Sequence, residues 1–256
     1  MSVSLNHKVD QSPPLILFPL SLQFNKSKLV IILGVFEVPS GSFGKEKSLE
    51  KNIPMKKTII FDLGGVLIEW DRRTLFKKIF TDGNELDYFL TEVCSPEWNS
   101  QLDLGVSFEK AVQERILDFP DYAPQIQAYF ERWEEMITGS IPGTVKILEE
   151  LKEAGYPLAV LSNWSAETFP KVRDRFEFLS WFNPLVISGE VGLIKPEPEI
   201  YQHLLQELGT SAENCIFIDD SLPNIEIAEE LGFKVIAFTS SKELRTRLEQ
   251  LNILTN

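Results

Sequence analysis

The pattern that most constrains this chain begins at Thr58, where short runs of β-branched and aliphatic residues start to alternate with longer stretches of helical periodicity. This alternation is typical of βαβ units, in which crossover helices bury a parallel sheet on both faces. We therefore predict an α/β fold with a Rossmann-like parallel sheet and helices on both faces. The predicted strands are residues 58–61, 157–161, 185–188, 215–218 and 234–238, and the predicted helices include residues 142–154, 199–208 and 222–231.

One long segment interrupts this alternation. It contains no convincing strand pattern, but it holds several helical ones, such as the apolar series Phe108, Ala111 and Val112. The sequence therefore predicts a small all-helical cap that is inserted after the first strand. The predicted domains are a cap at residues 72–138 and a Rossmann-like core at residues 55–71 and 139–256.

Residues 1–54 differ in character from the rest of the chain. Their apolar parts, residues 15–22 and 29–38, are each about half of the ~20 residues that a membrane-spanning helix needs. The segment also lacks the order of basic, apolar and small residues that a signal peptide requires. Since Met55 opens a pattern typical of compact domains, we expect residues 1–54 to be poorly ordered or dispensable. The alternative is an extra β-hairpin at the domain edge.

The composition excludes several classes of function. The chain has 25 Lys and Arg against 38 Asp and Glu, a formal net charge of −13 that disfavours nucleic acid as a partner. Its two cysteines, Cys94 and Cys215, lack metal-site spacing and indicate a reducing compartment, so we expect a cytoplasmic protein without a membrane partner. Only His7 and His203 are available for histidine chemistry, which directs attention to carboxylates.

Polar residues lie at four places in the sequence, each at the end of a predicted strand or in a loop that follows one. In an open parallel sheet, reactive groups gather at the carboxyl ends of the strands. Each of these residues has an ordinary structural explanation, such as a helix cap or a turn, when it is taken alone. The adjacent acids at the fourth strand end are harder to explain, because two like charges repel unless a cation or hydrogen bonds compensate. The candidates are Asp62 with Gly64 and Gly65, Ser162 with Asn163, Lys195 before Pro196, and Asp219 with Asp220.

These residue types match the needs of phosphoryl transfer. Mg²⁺ prefers oxygen ligands, which Asp62, Asp220 and a backbone carbonyl near Gly64 can provide. An ionised Asp62 can attack phosphorus and form an aspartyl-phosphate. The phosphoryl oxygens then need donors and positive charge, for which the sequence offers Ser162, the Asn163 backbone N–H and Lys195.

At these residues the sequence resembles the haloacid dehalogenase superfamily, in the branch with a helical cap after the first motif. The resemblance covers residues 55–256, and it is strongest to the bacterial α-glucose-1-phosphatase-like group, which shares Asp-Leu-Gly, Leu-Ser-Asn, Lys-Pro-Glu and Asp-Asp. It implies a phosphatase with Asp62 as nucleophile and Lys195 as charge stabiliser. It further implies phosphate binding by Gly64, Gly65, Ser162 and Asn163, and magnesium binding by Asp62, Gly64, Asp219 and Asp220, with Asn224 supporting the acidic loop.

The sequence departs from the superfamily pattern at Gly64. Phosphatases of the superfamily usually carry a second Asp there, which protonates the leaving alcohol; such catalysis is typically worth ~10²–10⁴-fold. Glu69 and Asp103 are candidate substitutes. We expect an Mg²⁺-dependent phosphatase acting on a small phosphorylated metabolite, with sugar phosphates among the candidates. The alternatives are a non-catalytic or weakly catalytic ligand-binding or regulatory protein, and a 2-haloacid dehalogenase, which the Asp219–Asp220 pair disfavours.

We predict that a chain beginning at Met55 folds and retains the activity of the full chain, because residues 1–54 show only weak periodicity. Its Tm should change by less than about 2–4 °C, the shift that 1 kcal/mol produces in a domain of this size. Calorimetry of the two chains checks this. Aggregation or a larger fall in Tm would show that the segment is structural.

Overall fold

The computed structural model describes residues 19–25, 28–33 and 56–255. The chain divides into two units, Met1–Ile53 and Pro54–Asn256. Within the first unit, strand β1 (Pro19–Asn25) and strand β2 (Lys28–Leu33) pair antiparallel. A paired hairpin is the alternative that the sequence leaves open for this part of the chain.

The other residues of the 1–54 segment lie outside the described residues. The expectation that this segment is dispensable stays a prediction, as does the placing of the cap and core boundaries.

Seven further strands lie within residues 56–255 of the second unit. They are β3 (Thr58–Phe61), β4 (Ile68–Trp70), β5 (Ile137–Ser140), β6 (Leu158–Ser162), β7 (Leu185–Ile187), β8 (Cys215–Asp219) and β9 (Lys234–Ala237).

Five of these strands form the parallel sheet, in the order β7-β6-β3-β8-β9. Strand β3 is central, and its residue Ile60 lies opposite Ala159 of β6 and Phe217 of β8. The predicted α/β fold with a parallel sheet is confirmed. Two strands extend further than predicted, so that Ser162 ends β6 and Asp219 ends β8, which places both polar residues at the same edge of the sheet.

Helices connect these strands. The α-helices of residues 56–255 are α1 (Arg72–Phe76), α2 (Gly83–Tyr88), α3 (Pro96–Asp103), α4 (Phe108–Asp118), α5 (Ala123–Glu131), α6 (Pro142–Glu153), α7 (Phe169–Arg173), α8 (Ser188–Val191), α9 (Pro198–Leu208), α10 (Leu222–Glu230) and α11 (Ser241–Gln250). A π-helical turn spans Phe89–Val93, and 3₁₀ turns span Pro120–Tyr122, Trp133–Met136, Glu177–Trp181 and Ala212–Asn214.

The sheet is covered on both faces, as the sequence predicts. Alternate residues of a strand point to opposite faces, and β3 shows this directly. Ile59 and Phe61 join the core that contains Leu148 of α6 and Leu244 of α11, whereas Ile60 joins the core built with α9 and α10. Every residue of β3 is buried, which explains why its sequence does not alternate between apolar and polar residues. The strand ends directly before Asp62.

The cap is helical, with one correction at its end. Strands β4 and β5 pair antiparallel, with Ile68 opposite Ser140 and Trp70 opposite Ile137, and helices α1 to α5 lie between them in the chain. Strand β5 therefore begins inside the segment that was predicted to hold no strand. Its sequence, Ile-Thr-Gly-Ser, has no strand periodicity of its own, and its extended conformation comes from pairing with β4.

Candidate active site

Asp62 follows the last residue of β3, at the carboxyl end of the central strand. Its Oδ1 accepts hydrogen bonds from the Leu63 N–H at 2.7 Å and from the Ser162 hydroxyl at 2.6 Å. The same oxygen lies 3.2 Å from Lys195 Nζ. All these contacts fix one oxygen of the carboxylate. Within the part of the chain that the structure describes, Oδ2 is therefore the oxygen that is available for chemistry.

Lys195 buries its ammonium group at the centre of the site. Nζ donates to the Leu161 carbonyl at 2.8 Å and to Asp219 Oδ2 at 2.6 Å, in addition to its contact with Asp62. Three acceptors match the three N–H bonds of the ammonium group. Desolvation lowers the pKa of Lys195, but the carboxylates of Asp62 and Asp219 more than offset it, so that the pKa is raised and the side chain stays charged.

Asn163 holds the loop that carries Lys195. Its Nδ2 donates to the Lys195 carbonyl at 2.9 Å, and its Oδ1 accepts from the Lys195 N–H, also at 2.9 Å. This two-bond clamp joins the end of β6 to a loop 32 residues later in the chain. The sequence predicts phosphate binding by the Asn163 backbone, but it gives no signal for this positioning role of the side chain.

Asp219 is fully buried, and both of its oxygens are occupied. Oδ1 accepts from the Ser221 N–H at 2.8 Å and from Asn224 Nδ2 at 3.0 Å, while Oδ2 accepts from Lys195. The Asn224 carbonyl in turn accepts a hydrogen bond from the Tyr201 hydroxyl at 3.0 Å. These contacts support the predicted role of Asn224 in the acidic loop, and they make Asp219 chiefly the partner of the lysine.

Asp220 reaches solvent beside this cluster. Partial desolvation, together with the charge of Asp219, raises the pKa of Asp220. Gly65 has a φ of +74°, and a Cβ atom built on it would lie 2.3 Å from Asp220 Oδ2. A glycine at position 65 therefore allows the acidic loop to approach the loop that follows Asp62.

The acidic cluster fits a divalent cation. Oxygens of Asp62, Asp219 and Asp220 lie within 4.8 Å of one another. When all three carboxylates are ionised, they and the Lys195 ammonium group sum to −2. Burial opposes this ionisation and raises the pKa of Asp62 to about 7 against the charge of Lys195. Hard oxygen donors with an excess of negative charge are the ligands that Mg²⁺ prefers.

A cavity opens directly beside this cluster. Gly64 and Asn163 line it from the core, and a Cβ atom built on Gly64 would meet no atom within 4 Å. Trp133 is a lining residue that the sequence analysis missed, because an aromatic residue at helical spacing gives the same signal as a core residue. The remaining lining residues are Trp70, Asn99, Asp103, Phe108, Trp164, Ser165 and Thr168.

The two candidate substitutes for the missing acid lie in different places. Asp103, at the end of α3, lines the cavity. Glu69 is exposed on β4 and accepts a hydrogen bond from the Thr138 hydroxyl at 2.6 Å.

Residues 56–232, more than half of the chain, match the family described as haloacid dehalogenase-like hydrolase. The chain belongs to this family. It is 28% identical over 209 residues to the sesquiterpene phosphatase AstK of Aspergillus oryzae, an alignment that covers 76% of this chain and 96% of that protein. It is 34% identical to a haloacid dehalogenase-like hydrolase domain-containing protein of Arabidopsis thaliana, over 72% of this chain and 69% of the other.

Solved structures of the haloacid dehalogenase-like family share the fold. A family enzyme of Bacteroides thetaiotaomicron, BT-2542, whose structure contains magnesium and inorganic phosphate, is 26% identical with a TM-score of 0.56. The match covers 72% of this chain and 95% of that one. Family membership identifies the chain as a haloacid dehalogenase-like hydrolase, and AstK is a phosphatase by its name. Among the helices that the structure describes, none is long and apolar enough to cross a membrane.

We predict that Lys195→Met lowers the free energy of unfolding by about 3–5 kcal/mol at pH 8, because it leaves Asp62 and Asp219 buried without their cation. The loss should be smaller at pH 5. Burial raises the pKa of Asp62 far above its unfolded value, so the unpaired carboxyl is protonated at pH 5 and the penalty grows as the pH rises through about 7.

Urea denaturation without divalent cations measures this difference. The exposed Lys77→Met is the control and should show no such pH dependence. A Lys195→Met deficit that is the same at both pH values would contradict the account of the cluster.

Proposed function

We propose that this hydrolase is an Mg²⁺-dependent phosphatase that cleaves a small phosphorylated metabolite through an aspartyl-phosphate on Asp62. One observation supports this above the others. Asp62 is held by one oxygen beside a buried ammonium group, while its other oxygen is left without a hydrogen bond among the described residues. A carboxylate held in this way is oriented for nucleophilic attack and does not serve merely as a structural ion-pair partner.

In the first step, Asp62 Oδ2 attacks phosphorus, the bond to the leaving oxygen breaks, and that oxygen takes a proton from a general acid. In the second step, water gives a proton to the conjugate base of that acid and attacks the same phosphorus, the bond between phosphorus and Asp62 breaks, and inorganic phosphate leaves. Lys195 stabilises the charge of the transferring group in both steps, and the Asn163 N–H donates to its oxygens, while the Ser162 hydroxyl donates to Asp62 and orients the nucleophile.

Mg²⁺ would be held by Asp62, Asp220 and the Gly64 carbonyl, with Asp219 orienting the site through Lys195 and Asn224. When bound, it neutralises the carboxylates and the phosphoryl oxygens, which otherwise repel each other. This assignment follows from hydrogen bonding, because Asp219 already uses both of its oxygens.

The cavity supports a leaving group with hydroxyl groups. Its aromatic walls offer flat apolar faces, while Asn99 and Asp103 offer hydrogen-bonding groups. The indole N–H of Trp164 is buried, and it has no hydrogen-bond partner among the residues that the structure describes. A sugar phosphate combines a compact ring with several acceptors for such donors. AstK is named for a sesquiterpene substrate; Asn99, Asp103 and the indole N–H of Trp164 are the groups that support a sugar phosphate here.

Asp62→Asn should lower kcat/KM for p-nitrophenyl phosphate by about 10³-fold or more, since the amide cannot act as the nucleophile. Asn has nearly the same shape as Asp, so the variant should keep the circular dichroism spectrum and a cooperative thermal transition. An excess of chelator should abolish turnover by the parent, and added Mg²⁺ should restore it.

Activity of Asp62→Asn within about tenfold of the parent, or full parent activity in excess chelator, would contradict the proposal. The absence of an acid at position 64 favours one competing function, a protein that binds phosphate without turnover. Tight phosphate binding by the parent with no Mg²⁺-dependent release of nitrophenol would support that function.

A further inference from the structure

We propose that Asp103, on the cap, is the catalytic acid and base of this hydrolase and takes over the task of the aspartate that is missing at position 64. This inference rests on the proposed phosphatase function and identifies the group that donates and accepts protons in its two steps. Asp103 and Gly64 line the same cavity, one from the cap and one from the core. The acid and the open position at Gly64 therefore border the same space, in which the leaving group would lie.

The space at Gly64 makes such a replacement possible. A Cβ atom built there would meet nothing within 4 Å, so the wall beside Asp62 is open where an aspartate side chain would otherwise project. A leaving group in the cavity can therefore extend past Gly64 toward α3. Glu69, the other candidate, is excluded by its position, because its carboxylate is exposed and bonded to Thr138 across the β4-β5 pair.

The Asp103 carboxyl is held in one orientation by a chain of hydrogen bonds. Asn99 Nδ2 donates to Asp103 Oδ2 at 2.7 Å, and the Tyr129 hydroxyl donates to Asn99 Oδ1 at 2.6 Å. Tyr129 is fully buried and packs edge-on against Trp98 at 5.0 Å between ring centroids. Asn99 and Asp103 are one helical turn apart on α3. Asn99 and the Ser165 backbone therefore hold the Asp103 carboxyl in place in the cavity that it lines.

The environment of Asp103 suits a group that must both give and take a proton. Desolvation, followed by the charge of Asp62, raises its pKa to about 7, against the opposing charges of Arg72 and Lys195. Tyr129 is the titratable group next to it on α5, and burial raises the pKa of that hydroxyl so that it stays neutral. Near neutral pH, both forms of Asp103 are then populated, as general acid–base catalysis requires.

The proton balance of the two steps is complete. Asp103 as carboxylic acid donates its proton to the leaving oxygen as the bond between that oxygen and phosphorus breaks, and it becomes a carboxylate. The carboxylate then accepts a proton from the water that attacks the phosphoryl group on Asp62. Release of phosphate and alcohol leaves Asp103 protonated again.

The test compares two esters in the parent, Asp103→Asn and Glu69→Gln. Asp103→Asn should lower kcat/KM for an alkyl phosphate by ~10²–10⁴-fold, and for p-nitrophenyl phosphate by less than about tenfold, because nitrophenolate leaves without a proton. Glu69→Gln should match the parent with both esters. In Asp103→Asn, the side-chain amide oxygen can still accept the hydrogen bond from Asn99 Nδ2, so the fold should persist. Thermal unfolding checks this.

Two further measurements distinguish a catalytic role of Asp103 from a purely structural one. The parent kcat/KM for the alkyl phosphate should fall as the pH rises above about 7, where Asp103 loses its proton, and Asp103→Asn should lack this fall. Gly64→Asp, added to Asp103→Asn, should raise alkyl phosphate hydrolysis at least about tenfold, since its side chain fits the open wall.

Equal losses with the two esters in Asp103→Asn, or no loss, would overturn this inference while leaving the proposed phosphatase intact. A parent that shows no Mg²⁺-dependent turnover of either ester would overturn the proposed function, and the inference with it.

Discussion

The site depends on one buried ammonium group. Lys195 lies between Asp62 and Asp219 with no exposed side-chain surface, and removing an ion of this size from water costs several kcal/mol. Two carboxylates and the Leu161 carbonyl offset that cost. The same contacts fix Asp62 through one oxygen. Charge stabilisation and orientation of the nucleophile are therefore two results of the same cluster, and neither can be altered without the other.

The order of the parallel sheet makes this cluster possible. Strand β3 lies between β6 and β8, so that the carboxyl ends of these strands bring Ser162 and Asp219 to Asp62, although they lie 100 and 157 positions after it in the chain. Two asparagines then hold the charged residues in position by hydrogen bonds. Asn163 clamps the main chain of Lys195, and Asn224 holds Asp219. In the proposed mechanism the core positions the phosphoryl group, while the cap presents Asp103 and aromatic walls to the leaving group. This division would separate phosphoryl transfer from the choice of substrate.

The sequence predicts the parts of this arrangement that depend on local patterns. Strand β3 is predicted to the residue, because an apolar run ends abruptly at Asp62. The polar residues at strand ends follow from the same rule, and the structure brings them together. Strand β5 is missed, because its conformation depends on pairing with β4 across the whole cap. The Asn163 clamp is missed for a similar reason, because it is a long-range contact that leaves no periodic signal. Trp133 is missed because its helical spacing gives the signal of a core residue. The likeness to the α-glucose-1-phosphatase-like group stays a prediction.

The central claim is that phosphoryl transfer passes through a covalent bond to Asp62, and stereochemistry tests it most directly. The measurement uses a phosphate ester that is chiral through its oxygen isotopes, with an alcohol in place of water as the acceptor. Each in-line displacement inverts phosphorus. Two displacements through Asp62 predict a product with retained configuration. Inversion would mean that the acceptor attacks the ester directly, and it would contradict the account.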